Sequence, residues 1–432
     1  MANLGNILYR LRSKVVFKGD KVLWYVIIAL MIASVMVVYS STGRLAYRVR
    51  EGNTTFYLMK QLFLMGGCFV LILALQSVHY KVFLAFSRIV LGMSLVFLLW
   101  AKFAGTNLND ADRWITIPLI GFTFQPSELA KLGIIMYSAR IIAFYQNDRC
   151  CDDDALKSMI IFVGPLILLI FLDNFSTSLL IGLICITMLG VGRLRLKLLM
   201  MSVGAVIGLV AVIILLAFTV PQFEKIGRVA TIKGRITEFF AGGQGEDYSY
   251  QSVQAKIAVA KGGLLGVGPG NSEQRNFLPH PYSDFIFAII IEEYGLIGGG
   301  VVMLLYLIIL YRVWVIVKRC TQAFPILLVT GLGLSIVFQA FINMGVCVGL
   351  FPVTGQPLPL VSMGGTSLLF TSAAFGMILS VSHTFPEGGE VIEEEDEDEE
   401  PEEEEYEDEP EDGEEYPEEE NPEDLDIREE KI

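Results

Sequence analysis

Residues 22–41 read VLWYVIIALMIASVMVVYSS, a run without a single charged side chain. As a helix rising 1.5 Å per residue it is about 30 Å long, the thickness of a bilayer's hydrocarbon core. The run is apolar all round, whereas a surface helix of a soluble domain keeps one polar face. It does not alternate every second residue, as a strand of a membrane barrel would. Nine further runs of this character follow, at about 56–76, 82–104, 127–146, 158–172, 175–192, 198–220, 285–317, 325–349 and 364–384. The thinnest break lies between the fifth and sixth, where only Asp173 and Asn174 interrupt the apolar stretch. The expected fold is therefore an all-α polytopic membrane protein, a bundle of about ten transmembrane helices. A hydrophobic content of 53% and a mean hydropathy of +0.55 agree with it. No small-residue cleavage site follows the first run, so it reads as a retained span and not as a signal peptide.

Charge divides the chain. The formal net charge is −15, yet 29 of the 47 acids and only two of the 32 bases fall in residues 387–432. Residues 1–386 keep 18 acids against 30 bases. The tail has too little apolar surface to offset the entropy of ordering, so disorder is expected there. In short loops Lys and Arg mark the cytoplasmic side. With ten spans, Lys14, Lys18, Lys21, Lys81, Arg149, Arg193, Arg195, Lys197, Arg312, Lys318 and Arg319 share one side, which places both termini in the cytoplasm. Arg10 and Arg12 join them, whereas Arg44, Arg48 and Arg50 run against the rule. The expected organisation is a basic N-terminus (1–21), a membrane domain (22–386) with an outer loop at 221–284, and an acidic cytoplasmic tail (387–432).

Three segments then lie outside: 105–126, 221–284 and 343–363. The long loop contains an amphipathic stretch from Tyr250 to Lys261 and five glycines between Gly262 and Gly270. No Lys-Ser/Thr follows those glycines, so a nucleotide loop is not expected, and no nucleic-acid partner is either. Tight turns and close backbone approach are the expected use of these glycines. The run that follows would make a helix of about 50 Å, so its first turns should rise above the hydrocarbon. The six cysteines show no zinc spacing and no disulfide framework. The three histidines, His79, His280 and His383, show no metal spacing either.

The outer segments carry the candidate chemistry. Pro126 and Ser127 make a helix start, and Glu128 suits the positive helix N-terminus. Glu128 and Lys131 share a face, which fits either an internal ion pair or a polar wall facing a cavity. Ser283 or Asp284 would serve as a helix cap, but Asp284 beside Phe285 and Phe287 also fits a general base with a raised pKa. Glu292 lies about 12 Å further along that helix and about 80° round, too far for a tight carboxylate pair. Arg228, Lys233, Arg235, Lys256, Lys261 and Arg275 are open to either phosphate binding or contact with anionic lipid. The stretch from Pro352 to Ser367, with Gly355, Pro357, Pro359, Gly364 and Gly365, is non-helical backbone that must line a cavity or be buried in protein.

Four of these segments carry a family resemblance. They are Arg113-Trp114 with Gln125-Pro126-Ser127-Glu128 and Lys131; Gly262-Gly263 through Gly270-Asn271-Ser272; Leu278-Pro279 with Ser283 to Ala288 and Glu292-Glu293; and Asn343 through Gly349 with Pro352, Thr354-Gly355, Leu358-Pro359 and Ser362 to Ser367. In this order, over about residues 20–385, they resemble the shape, elongation, division and sporulation family. The resemblance implies a ten-span peptidoglycan glycosyltransferase that polymerises lipid II. It would work in the bacterial inner membrane with a class B penicillin-binding transpeptidase. The stretch from Gly19 to Ser41 and the run from Pro279 to Tyr282 resemble the division type, which implies divisome partners and a septal location. The elongation type is the alternative.

On this reading Asp284 is the catalytic residue. Arg113, Gln125, Ser127, Glu128, Lys131, Arg235, Lys256, Glu292, Ser362 and Ser367 are the expected substrate contacts. Arg113, Lys131, Arg235 and Lys256, or a divalent cation such as Mg or Mn, would meet the leaving pyrophosphate. Asp173 to Thr177 departs from the family pattern, as do Met363, Thr366 and the acidic tail. A lipid II flippase and a tail-based scaffold are the rival readings.

Overall fold

The computed structural model describes residues 17–43, 54–104, 106–108, 111–117, 122–147, 151–219, 229–240 and 248–386. The acidic tail 387–432 with its expected disorder, the basic residues Arg10, Arg12 and Lys14, the exceptions Arg44, Arg48 and Arg50, and Arg149 and Arg228 lie outside these residues.

Each of the ten apolar runs is helical. The helices are α1 (Lys21–Ser41), α2 (Thr54–Gln76), α3 (Tyr80–Ala104), α4 (Pro126–Phe144), the pair α5 (Asp154–Phe162) and α6 (Gly164–Asp173), α7 (Phe175–Val191) and α8 (Leu196–Thr219). The long loop contributes α9 (Val229–Phe240) and α10 (Tyr248–Gly262), and α10 contains the stretch from Tyr250 to Lys261. The bundle closes with α11 (Ile286–Arg319), α12 (Ala323–Cys347) and α13 (Gly365–Thr384). Seven of these helices are long and apolar enough to cross a membrane, and the α5–α6 pair, bent by 43°, makes an eighth. The other two runs miss that standard for physical reasons. Helix α4 carries Glu128, Lys131 and Arg140, and α7 has 17 residues. Both pack against α12, so neighbouring protein covers their polar groups.

The segment between α3 and α4 forms a small antiparallel sheet, β1 (Thr106–Leu108), β2 (Ala111–Ile117) and β3 (Phe122–Phe124), in that order. The sequence pattern marks this segment as one of the outer ones with candidate chemistry but does not signal its strands.

Asp20 joins the two halves of the chain at one end of the bundle. Its Oδ1 caps α1 by accepting from the Leu23 N–H at 2.9 Å, and its Oδ2 accepts from Arg312 Nε of α11 at 2.9 Å. The basic clusters near residues 18–21 and 312–319 therefore share this end, as the charge pattern requires.

At the opposite end α11 is broken at Gly295 (φ 70°, ψ −174°). The break frees two carbonyls and two N–H groups of the helical ladder, and the glycine-rich turn re-pairs all four. Val267 N donates to Glu292 O at 2.9 Å and Gly268 N to Glu293 O at 3.0 Å, while Leu296 N donates to Gly263 O at 3.0 Å and Ile297 N to Leu264 O at 3.4 Å. This docking requires glycine at particular positions. Gly266 has φ +83°, and a Cβ there would lie 2.2 Å from Glu293 O. Gly270 has φ +78° but open space around it. Gly270→Ala should thus cost only the left-handed backbone penalty, roughly 1–2 kcal/mol. Gly266→Ala should cost clearly more, because a backbone carbonyl must also move. Thermal unfolding of the two variants side by side in detergent checks this, and equal losses would mean that the turn is not docked on α11.

Candidate active site

The end of the bundle that carries the glycine turn encloses a cavity of about 460 Å³, within the usual range for small-molecule sites. Five parts of the chain build its wall: Gln125 before α4; Asp173, Asn174 and Phe175 at the α6–α7 break; Thr231 and Arg235 of α9 with Gln251 of α10; residues 280–284 except Pro281; and part of the stretch from Val353 to Ser367. Thr231 and Arg235 are four apart on α9 and so share a face, here the one turned to the cavity.

Asp284 sits in this wall just before α11. The cap position of that helix belongs to Phe285, and no side chain caps it. The helix-cap reading of Ser283 or Asp284 is thereby set aside, because local geometry turns the carboxylate elsewhere. Its Oδ1 accepts from the Ser283 hydroxyl at 2.8 Å. Gly355 (φ +68°) faces the other oxygen, and a Cβ there would lie 3.6 Å from Asp284 Oδ2. The backbone is held separately: Asn343 Nδ2 donates to Asp284 O at 2.8 Å, and Ser362 Oγ donates to Ser283 O at 2.6 Å. Burial, reinforced by Tyr57 and the Asp284 carboxylate, pushes the neighbouring Tyr282 phenol above its usual range. Tyr282 thus faces the cavity as a neutral hydroxyl.

Of the expected contacts, Gln125, Arg235 and Ser367 join Asp284 on the wall. The others are placed differently. Lys131 Nζ donates to Glu128 Oε2 and to Gln339 Oε1, both at 2.8 Å, and all three residues are buried. This is the internal ion pair and not part of the main cavity's lining; it borders a void of about 10 Å³, no more than one water in size. Ser127 is buried and accepts from Gln125 Nε2 at 3.0 Å. Glu292 is fully buried and turned towards the glycine turn, where it accepts from the Ser272 hydroxyl and from the N–H groups of Glu273 at 3.1 Å and Gln274 at 3.3 Å. Ser362 is spent on Ser283 O and on the Leu358 N–H, which donates to its Oγ at 2.7 Å. Lys256 is exposed on α10 and lies against Gly349, outside the cavity lining. Arg113 falls on β2, and its side chain is outside the described residues.

The pattern reading missed His280, Tyr282, Thr231, Gln251 and Thr354 as cavity residues. The run from Pro279 to Tyr282 was the available signal for the first two. Asp173 also lines the cavity, although its departure from the family pattern argued against it. Among the described residues no group of three or more His, Cys, Asp or Glu side chains is arranged to hold a metal ion. Asp173 and Asp284 alone are too few donors for a protein-made cage.

The helical architecture and this polar, carboxylate-bearing cavity define a polytopic membrane protein with a site at one end of its bundle. Residues 20–386 match the model of the FtsW, RodA and SpoVE group of cell cycle proteins. The chain belongs to that family. It is 30% identical over 383 residues to a probable peptidoglycan glycosyltransferase FtsW of Enterococcus hirae, covering 85% of this chain and 93% of that one. It is 32% identical over 376 residues to a probable peptidoglycan glycosyltransferase FtsW of Thioalkalivibrio sulfidiphilus, covering 84% and 89%. It is also 28% identical over 372 residues to the peptidoglycan glycosyltransferase MrdB of Escherichia coli, covering 84% and 93%. Its fold is that of RodA from Thermus thermophilus, with a TM-score of 0.60 at 22% identity over 85% of this chain and 97% of that one. A chain in a peptidoglycan synthase complex that coordinates polymerization and crosslinking scores 0.65 at 23% identity, over 84% and 97%.

Proposed function

We propose that the chain is a peptidoglycan glycosyltransferase that polymerises lipid II at the outer face of the bacterial inner membrane, with Asp284 as general base. The observation that carries this reading is a carboxylate in a polar cavity of a membrane bundle, left uncommitted to capping the helix beside it. The cavity end is taken as outer and the basic end as cytoplasmic. Two lipid-linked sugars meet in the cavity. Asp284 accepts the proton of the acceptor's sugar hydroxyl as that oxygen bonds to the donor's anomeric carbon. The bond from that carbon to the lipid pyrophosphate breaks, and the pyrophosphate leaves with the electron pair.

Among the described residues that line the cavity, Arg235 is the Lys or Arg side chain offered to the developing negative charge, and its planar fork suits phosphate oxygens. Gln125, Ser367, Thr231 and the neutral Tyr282 hydroxyl offer hydrogen bonds that would orient the sugars. A divalent cation such as Mg needs only one or two carboxylates beside a substrate's phosphates, so Asp173 and Asp284 would be the residues to hold one, and it would neutralise charge on the leaving pyrophosphate. The names of the relatives support the reaction. The proposed role is in division, with a class B penicillin-binding transpeptidase at the septum, and the elongation type is the alternative.

The test is purified protein with labelled lipid II supplied in detergent and no second polymerase. Glycan chains are the expected product. A protein that moves lipid II across vesicles yet makes no chains in this assay would be a transporter, and the proposal would be lost.

A further inference from the structure

The buried Glu128–Lys131 pair calls for an explanation. An ion pair inside a helix bundle pays a desolvation cost that its own attraction seldom exceeds. The pair also stands apart from the cavity in which charge would develop. Its hydrogen bonds lead there nonetheless. An ammonium can only donate, so Lys131 fixes Oε1 of Gln339 towards itself. The amide's Nε2 is thereby turned the other way, where it donates to Pro357 O at 2.9 Å. Pro357 and Gly355 belong to the non-helical wall that faces Asp284. One helical turn along α12, Asn343 donates to Gln356 O and to Asp284 O, both at 2.8 Å. Gln356 Nε2 in turn donates to Thr177 Oγ1 of α7 at 2.6 Å. Gln339 and Asn343 are four apart and both are buried, so one face of α12 holds the carbonyls on both sides of the cavity.

We infer that Gln339 is a positioning residue. The Glu128–Lys131 pair acts through it to set the distance between the 353–357 wall and Asp284, and does not bind pyrophosphate itself. This inference rests on the Asp284 reading above. Lys131 thus adds a second hold on the Gln339 amide, since a flipped amide would lose the ammonium's bond and set its oxygen against the Pro357 carbonyl. A wall displaced by about 1 Å is enough to cost on the order of 100-fold in rate when reacting groups must be aligned.

The experiment compares Gln339→Met and Gln339→Glu with wild type and Asp284→Asn, in lipid II polymerisation by the full chain. Gln339→Met keeps the volume and removes both hydrogen bonds. It should lower kcat on the order of 100-fold with little change in KM. Gln339→Glu can donate to Pro357 O only when its carboxyl is protonated. Its activity relative to wild type should therefore rise as the pH falls while its thermal unfolding relative to wild type stays level, whereas a purely structural role would raise both together. Wild-type kcat in Gln339→Met overturns the inference, and so does a raised KM at unchanged kcat, which would mean direct substrate contact. If Gln339→Met fails to fold, a flat activity ratio across pH in Gln339→Glu overturns it. Full activity of Asp284→Asn would instead remove the underlying reading, so the two failures are distinguishable.

Discussion

Asp284→Asn should lose roughly 100- to 10,000-fold in the rate of lipid II polymerisation, the range that a positioned general base contributes. The substitution changes one atom and removes the basic electron pair. An asparagine Oδ1 still accepts from the Ser283 hydroxyl, as the carboxylate does now at 2.8 Å. The backbone stays fixed because Asn343 holds Asp284 O and Ser362 holds Ser283 O. The variant should consequently unfold at the wild-type temperature and lose only turnover. Its KM should move little, because the proton is taken in the transition state and not in the bound ground state. The measurement is chain formation from labelled lipid II in reconstituted vesicles, beside thermal unfolding of the same preparation. Chain formation near the wild-type rate would end the general-base role. Loss of activity together with loss of folded protein would mean that the side chain serves the fold and not the proton transfer.

What the sequence reveals divides along a physical line between local and distant partners. Hydrophobicity is local, so every apolar run emerged as a helix. The break in the fifth run was also available: Gly164-Pro165 marks it, since proline cannot donate into the helix and starts α6 instead. Hydropathy alone passes over it because no polar residue stands there. The Glu128–Lys131 pair, three residues apart, was legible for the same reason of proximity. Its second partner was not, since Gln339 lies 208 residues away. Glu292 shows the limit most clearly. Its place on α11 was foreseeable, but the docking of Ser272 to Gln274 onto its carboxylate depends on a helix break at Gly295 that spacing does not signal. The candidate site was thus readable as a set of segments. Which members of each segment face the cavity depends on how the helices turn, and that is fixed by packing between distant parts of the chain.

Arg235 bears the second large effect. Four bases were candidates for the pyrophosphate, and the fold separates three of them by burial and position. Lys131 is committed to Glu128 and Gln339. Lys256 lies on the exposed side of α10, whereas Arg235 projects from α9 into the cavity wall. Arg235→Leu should therefore lower kcat by roughly 100- to 1,000-fold, the usual loss when one donor to a developing anion is removed. Arg235→Lys should recover part of this, because the charge returns without the two-pronged geometry that fits phosphate oxygens. Lys256→Ala should stay close to wild type, because an exposed ammonium is strongly screened. The three variants measured together separate a specific contact from general electropositivity at the membrane surface. If Lys256→Ala and Arg235→Leu fall equally, attraction of the anionic lipid explains both, and raised salt should depress the wild type in the same way. If Arg235→Leu alone falls, and does so at saturating lipid II, the cation acts on the reaction itself and not on recruitment of the substrate.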